Sequence, residues 1–515
     1  MKDRVSSKPK PFYTLVLTLL FAGLSAAIAQ GGSLTFVFGA PILTTEPGIA
    51  AGTQAQTVRL AMYEGLVEFD ENGEIKPLLA TDWTVSDDQR EWTFTLREGV
   101  TFHDGTPLTA EAAAISLNRI LDPANGFGRR STLEAISTVE AVDELTLKVV
   151  TDEPFGPLLA HLASDVAVII SPAALEQHGE DIGWNPVGTG PFRYDSHVAE
   201  QSVTVRRNDS YWGEAAGLDS ITFLSVPEAA TRITMLEAGE ADVIVNVPGF
   251  DVPRLDADPD IEVRRDPSTR VGHVGMNLTQ APLDDVRVRQ ALNYAVNREA
   301  IVAGILRNIG MPADSIVSSA TVGYVPAGDY TYDPERARGL LAEAGYADGF
   351  TISLLAPQGR YYMDRETAIA IQAQLREIGV NVDLQIVDWS TYLELLRVPA
   401  SENSTQLYWL GWETGTMHIQ YILDTVFHSN RLAPEGWNTM FYDNAEVSAM
   451  IDEARHTVDP EQQQALYTAL QEQIMADAPW ISTYVFEQVT GLREGINGLQ
   501  VLPTEVFVLK YVTLD

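Results

Sequence analysis

The chain has 515 residues, 71 acidic against 34 basic, and a formal net charge of −37 at neutral pH. So acidic a surface repels nucleic acid and anionic lipid, and neither is expected as a partner. Cysteine is absent, which excludes a disulfide framework, thiolate metal sites and a lipid-accepting cysteine at a processed N-terminus. The length exceeds what one core organises, so two or three domains are expected.

Residues 1–29 read as a cleaved signal peptide. Lys2, Arg4, Lys8 and Lys10 precede an apolar run from Phe12 to Leu24, and Ala27-Ile28-Ala29 supplies a small-residue cleavage site before Gln30. As a helix that run reaches about 20 Å, short of the roughly 30 Å hydrocarbon core of a bilayer. Export without an acylated cysteine implies a free periplasmic protein. Loss of four basic and one acidic residue with the leader leaves 30 basic against 70 acidic side chains.

Ser33 to Gly39 alternates as a first strand, Ala40 to Gly52 is irregular, and Gln54 to Tyr63 reads as a short helix. Asp70-Glu71-Asn72-Gly73-Glu74 has the residue types of a calcium loop. Thr81 falls where the twelfth-position acid should stand, so the segment is expected to be a hairpin turn. Trp92, Phe94 and Leu96 alternate with Thr93, Thr95 and Arg97, a strand with one buried face. Glu98-Gly99 turns the chain, Val100 and Phe102 resume the alternation, and His103-Asp104-Gly105 turns it again. Thr109 then caps a helix that carries Glu111 in its first turn. Residues 131–155 supply another strand, with Leu145, Leu147 and Val149 inward. Val187-Gly188-Thr189-Gly190-Pro191-Phe192 is a turn without the lysine of a phosphate loop, and Asn208-Asp209-Ser210-Tyr211-Trp212 offers neither nucleophile nor base.

From Trp83 to Ala110 the order is W-x-V-S-x-D-x-x-x-W-T-F-x-L-R-x-G-V-x-F-H-D-G-x-P-L-T-A. This closely resembles the signature stretch of the family 5 extracellular solute-binding proteins, the peptide, nickel and related substrate receptors of ABC importers. The G-T-G-P-F turn and the N-x-x-Y-W segment resemble the same family. The resemblance implies an α/β, two-lobed periplasmic binding protein of the large three-subdomain class II type, with mixed sheets and a hinge. It also implies a small-molecule ligand, permease subunits in the inner membrane as partners, a monomer, and neither cofactor nor resident metal.

In the second half, Arg270 to Leu278 is strand-like, and Val288, Ala291, Leu292 and Ala295 mark a helix. Asn297 caps another helix, and Asp333-Pro334 opens a third that Gly345 stops. Phe350 to Ala356, Asp364 to Ile378 and Val380 to Val387 form a βαβ unit, hence a parallel pair. Two more helices follow up to Ala478-Pro479. Trp480 to Val489 then reads as a returning strand, and Leu499 to Leu509 as a last one. The expected domains are lobe 1 over 30–270, with an inserted subdomain at about 76–190, lobe 2 over 271–485, and a return to lobe 1 over 486–515.

Candidate ligand residues come from the resemblance. Arg360, in a Pro/Gly loop after a strand and followed by Tyr361, stands where peptide-binding relatives hold the ligand carboxylate; a guanidinium offers two parallel donors matched to that group. Leu407 to Thr416 ends in a G-W turn that in peptide-binding relatives carries an aspartate for the ligand ammonium. This chain reads Trp412-Glu413-Thr414-Gly415-Thr416-Met417-His418, with Thr416 and His418 where a subgroup pattern has acids and Glu413 as the possible substitute. Trp389 and Trp412, like Trp409 and Trp437, could wall a cleft. Thr44, Thr45 and Glu46 lie in a loop that lines the cleft in relatives. A di- or oligopeptide is the leading ligand. An opine, an oligosaccharide or a nickel chelate on the same fold is the alternative, His418 being the residue that raises the metal reading. No nucleophile or metalloprotease motif is present, so an enzyme is not expected; an exported hydrolase is the rival class.

Overall fold

Two long antiparallel strands, Ile261–Met276 and Trp480–Arg493, run through the middle of the molecule. The computed structural model describes residues 31–49, 52–70, 73–328 and 330–515. The segment read as a signal peptide lies outside the described residues.

These two strands belong to one mixed sheet of eleven strands. On one side, Ile261–Met276 pairs with Leu407–Trp412, which lies parallel to Phe350–Pro357 and through it to Val380–Val387. On the other, Trp480–Arg493 pairs with Val243–Val245, beyond which Ser33–Phe38 and Ser220–Ser225 run parallel and two antiparallel strands end the sheet. The first wing packs Val274, Ile352, Leu375 and Trp409 into one core, and the second packs Leu34, Phe36, Phe223 and Val243 into another. The expected βαβ unit is present. Helix Asp364–Glu377 buries Ala368, Ile371 and Leu375 against the parallel pair it connects.

A separate four-stranded antiparallel sheet holds the signature stretch. Its strand Glu91–Leu96 buries Trp92, Phe94 and Leu96 against helix Ala110–Leu121, whose cap Thr109 accepts from the Ala112 N–H at 3.2 Å. The alternation at Val100 and Phe102 buries both side chains without forming a strand, since the chain makes only a single bridge from Thr101 to Pro107. Val67–Phe69 pairs antiparallel with Ile75–Pro77, as a hairpin there requires, and the Asp70 carbonyl accepts from the Gly73 N–H at 3.0 Å; Glu71 and Asn72 lie outside the described residues.

The two family-like motifs at Thr189 and Tyr211 meet at one buried carboxylate. Glu64 accepts from the Thr189 hydroxyl at 2.7 Å, the Tyr211 hydroxyl at 2.6 Å and Trp212 Nε1 at 2.8 Å. Burial pushes its pKa up, and those three donors oppose the shift. Gly188 sits so close to the chain that a Cβ there would lie 2.3 Å from the Met62 carbonyl oxygen. Both motifs are structural.

The tail departs from expectation. Leu499 to Leu509 is not one strand but a hairpin of Gln500–Val501 with Phe507–Val508. Pro503 cannot donate to a ladder and Glu505 adopts φ +63°, so the run folds back on itself. The first crossing strand also begins at Ile261, well before Arg270, because its polar first half is paired along its length by Trp480–Arg493.

Candidate ligand cleft

The crossing strands slip register between Pro267 and Val271, and Ser268 to Arg270 lie in that slip. A bulge bends a strand and re-aims its side chains. Here it delivers Arg270 to two carboxylates from opposite wings of the sheet. Arg270 Nη2 donates to Glu413 Oε2 at 2.5 Å, and its Nε reaches Glu505 Oε1 at 3.4 Å. Glu505 sits at the tip of the C-terminal hairpin, where it also accepts from the Ser268 hydroxyl at 2.9 Å. The Thr269 N–H ties the bulge to the Pro503 carbonyl at 2.7 Å. Burial works against the guanidinium's charge, but the two carboxylates outweigh it and raise the Arg270 pKa. The Glu413 carboxyl is pushed up, by burial first, then by Glu505, with Arg270 opposing.

Cavities open on both sides of this ion cluster. One, of about 420 Å³, lies among Phe38, Gln54, Arg232, Asn246, Arg360 and Glu505. The other, of about 340 Å³, lies between Gln56, Arg129, Thr132 and Ser164 on one wall and Trp412, Glu413, Gly415, Thr416 and Tyr421 on the facing wall. A third and larger space, about 500 Å³, shares Ser131, Thr132 and Tyr421 with the second and continues towards Arg431, Trp437 and Arg455.

Several of the expected ligand residues converge here. Arg360 lines the first cavity, exposed, with its guanidinium 5.0 Å above the Trp389 ring and 5.4 Å from the Tyr361 ring. Such stacking holds the plane of an arginine while leaving its edge for a ligand. Tyr361 is fixed by its hydroxyl, which donates to the Gly411 carbonyl at 2.9 Å. Trp412 meets Trp437 edge to face at 5.3 Å. Trp412 Nε1 and the hydroxyls of Thr414 and Thr416 are buried and have no partner among the described residues. Each such atom costs about 1–3 kcal/mol while it stays unmet.

Others of the expected residues are elsewhere. His418 lines none of these spaces; it is buried against Tyr467, and burial holds its pKa down at about 3, so it is a neutral core side chain. Among the described residues there is no group of three His, Asp or Glu side chains able to hold a metal ion. Thr44, Thr45 and Glu46 line neither interwing cavity. The Thr45 hydroxyl donates to the Gly183 carbonyl at 2.7 Å, the Thr44 hydroxyl accepts from the Glu46 N–H, and Glu46 pairs with Arg119 at 2.8 Å. Trp409 is fully buried in the core.

Four lining or bridging residues carried no local signal: Arg129, Arg270, Tyr421 and Glu505. Arg129 is held by Asp165, with Nη1–Oδ2 at 2.8 Å and Nη2–Oδ1 at 2.6 Å, and Arg59 shares the same carboxylate through its Nε at 2.8 Å. Burial opposes ionisation of Asp165, yet the two guanidinium groups hold its pKa down at about 2.

A mixed sheet shared by two wings, an antiparallel third unit and a cleft at the crossing strands define a two-lobed solute-binding protein. Residues 74–433 match the model of the bacterial extracellular solute-binding proteins, family 5 (middle), and the chain belongs to that family. It is 33% identical over 495 residues to the glutathione-binding protein GsiB of Escherichia coli (strain K12), spanning 96% of this chain and 95% of that one. Among solved structures it resembles HbpA2 from Haemophilus parasuis, with TM-score 0.86, 26% identity, and coverage of 94% of this chain and 100% of the other. It also resembles the periplasmic binding protein DppA from Helicobacter pylori in complex with peptide STSA, with TM-score 0.77, 25% identity, and coverage of 94% and 98%.

Proposed function

We propose that this protein captures a di- or oligopeptide between its two lobes and delivers it, chemically unchanged, to the permease of an ABC importer in the inner membrane. It acts as a free periplasmic monomer after loss of its leader, and it turns over no substrate. The lobes divide within the crossing strands, near residues 270 and 485. The observation that carries the reading is Arg360: an exposed guanidinium, braced over Trp389, facing a cavity of about 420 Å³ beside the crossing strands. That geometry suits a terminal carboxylate. The names of GsiB and of the STSA-bound DppA support a peptide over an opine, a sugar or a metal chelate.

Thermal-shift and calorimetric titration with glutathione, Ala-Ala and longer peptides tests it. A peptide at a hundred times its dissociation constant adds about 2.7 kcal/mol to stability. Arg360→Ala is expected to weaken binding about tenfold or more, as loss of a charged hydrogen-bond pair does. Full affinity in that variant removes Arg360 from the site, and cleavage of the peptide by the purified protein overturns the receptor reading.

A further inference from the structure

Arg360 reaches its cavity from an irregular loop that joins strand Phe350–Pro357 to helix Asp364–Glu377. Gly359 and Met363 both turn through positive φ there, at +78° and +55°. The aromatic side chains of the loop are tied at their tips. The Tyr361 hydroxyl donates to the Gly411 carbonyl at 2.9 Å, and the Tyr362 hydroxyl accepts from the Gly249 N–H at 3.1 Å. The Arg360 main chain is held by a different device. Asp364, 4% exposed, folds its carboxylate back onto the loop. Its Oδ2 accepts from the Arg360 N–H at 2.8 Å and from the Tyr361 N–H at 3.1 Å, while Oδ1 accepts from the Arg365 N–H at 2.8 Å. Hydrogen bonds to an ionised acceptor are among the strong ones. Asp364 is thus spent on backbone, and the Arg360 guanidinium stays exposed over Trp389.

We propose that Asp364 is a positioning residue for ligand capture: it touches no ligand, and it fixes the backbone from which Arg360 presents its guanidinium. The proposal rests on the reading of Arg360 as the carboxylate anchor. A guanidinium that meets a carboxylate through two parallel bonds must arrive in the right plane. Trp389 sets that plane, on a helix whose cap Asp388 accepts from the Ser390 and Thr391 N–H groups at 3.1 Å each. Stacking fixes only the far end of a long side chain; Asp364 fixes the near end. With both ends set, the ligand does not have to order the arginine as it binds, and affinity keeps what that ordering would cost.

A double-mutant cycle with Arg360 tests this, read by calorimetry of the full chain with Ala-Ala, Ala-Ala-Ala and glutathione. Asp364→Ala is expected to weaken peptide binding about fivefold to tenfold, the effect of ordering one long side chain and its loop on binding. Combined with Arg360→Ala, the loss should fall well short of the product of the two single losses, because no guanidinium is left to position. Asp364→Asn, which can turn its amide oxygen to the loop, should recover part of the affinity, and it carries the cycle if Asp364→Ala does not fold. Without ligand, hydrogen exchange of the amides at 360 and 361 should quicken in Asp364→Ala. Asp333 is the control: it caps helix Pro334–Glu343 by accepting from the Arg336 N–H at 2.8 Å and lines none of these cavities. Asp333→Ala should lose stability and keep peptide affinity within about twofold. Losses that multiply in the cycle, unchanged affinity in Asp364→Ala, or equal weakening by Asp333→Ala each overturn the positioning role. In those cases Arg360→Ala still weakens binding, and the peptide reading stands. If no peptide binds the unaltered protein, or Arg360→Ala binds as tightly as it does, the anchor reading fails and takes the role of Asp364 with it.

Discussion

Replacement of Arg270 by glutamine would expose how the cleft is held together. Arg270→Gln removes the cation that meets Glu413 at 2.5 Å and Glu505 at 3.4 Å, and leaves two carboxylates facing each other across the bulge. Breaking a buried ion pair by deleting one partner costs about 3–5 kcal/mol. Glu413 and Glu505 are 23% and 18% exposed, so water and protonation recover part of this, and a loss of about 2–3 kcal/mol is expected at pH 7. The sign with pH follows from the carboxylates. The Glu413 carboxyl, already pushed up by burial, rises further without the guanidinium, so the deficit is full above its raised value and fades as pH falls below the ordinary 4.5. Urea unfolding of both proteins at pH 7 and at pH 4 measures it. A deficit of equal size at the two pH values, or none at pH 7, refutes the account of Arg270 as the cation binding both wings.

Other consequences are as direct. Asp165→Asn leaves Arg59 and Arg129 without their shared carboxylate and should cost about 3–5 kcal/mol by denaturant titration. Because the Asp165 pKa is held down at about 2, that gap should be constant above the ordinary value of 3.8 and close only as pH falls towards 2. Glu64→Gln turns an amide N–H₂ towards three donors and should lose about 1–3 kcal/mol of stability without changing peptide affinity in calorimetry. Gly156→Ala would place a Cβ 2.2 Å from the Thr457 carbonyl oxygen, where the small subdomain meets the wing that carries Arg455. It should force the subdomain and that wing apart, seen as a larger radius of gyration in X-ray scattering and weaker peptide binding.

Local patterns carried most of the elements into view. The alternation of Val380, Val382 and Leu384 and the helical spacing of Ala368, Ile371 and Leu375 are decided within a few residues, and the structure places them as a parallel pair with its connecting helix. Glu64 shows the limit. Its partners are 125 to 148 residues away, so two motifs that converge on one carboxylate read as separate turns. Arg129, Arg270 and Glu505 stand in polar, irregular sequence with no period to mark them, and only the fold brings them to the cleft. The tail departs from its pattern for the opposite reason: Leu499 to Leu509 is apolar enough for a strand, but Pro503 and the left-handed Glu505 make it turn.

The unbroken sheet limits how this protein can be taken apart. Since Trp480–Arg493 is hydrogen-bonded along nearly its whole length to Ile261–Met276, no cut yields two self-contained halves. Either fragment would present a long naked edge to its neighbours, the kind of template that recruits other chains into aggregates. Each half therefore needs the other to stay soluble, and this protein is one to be swapped, fused or shortened only as a whole.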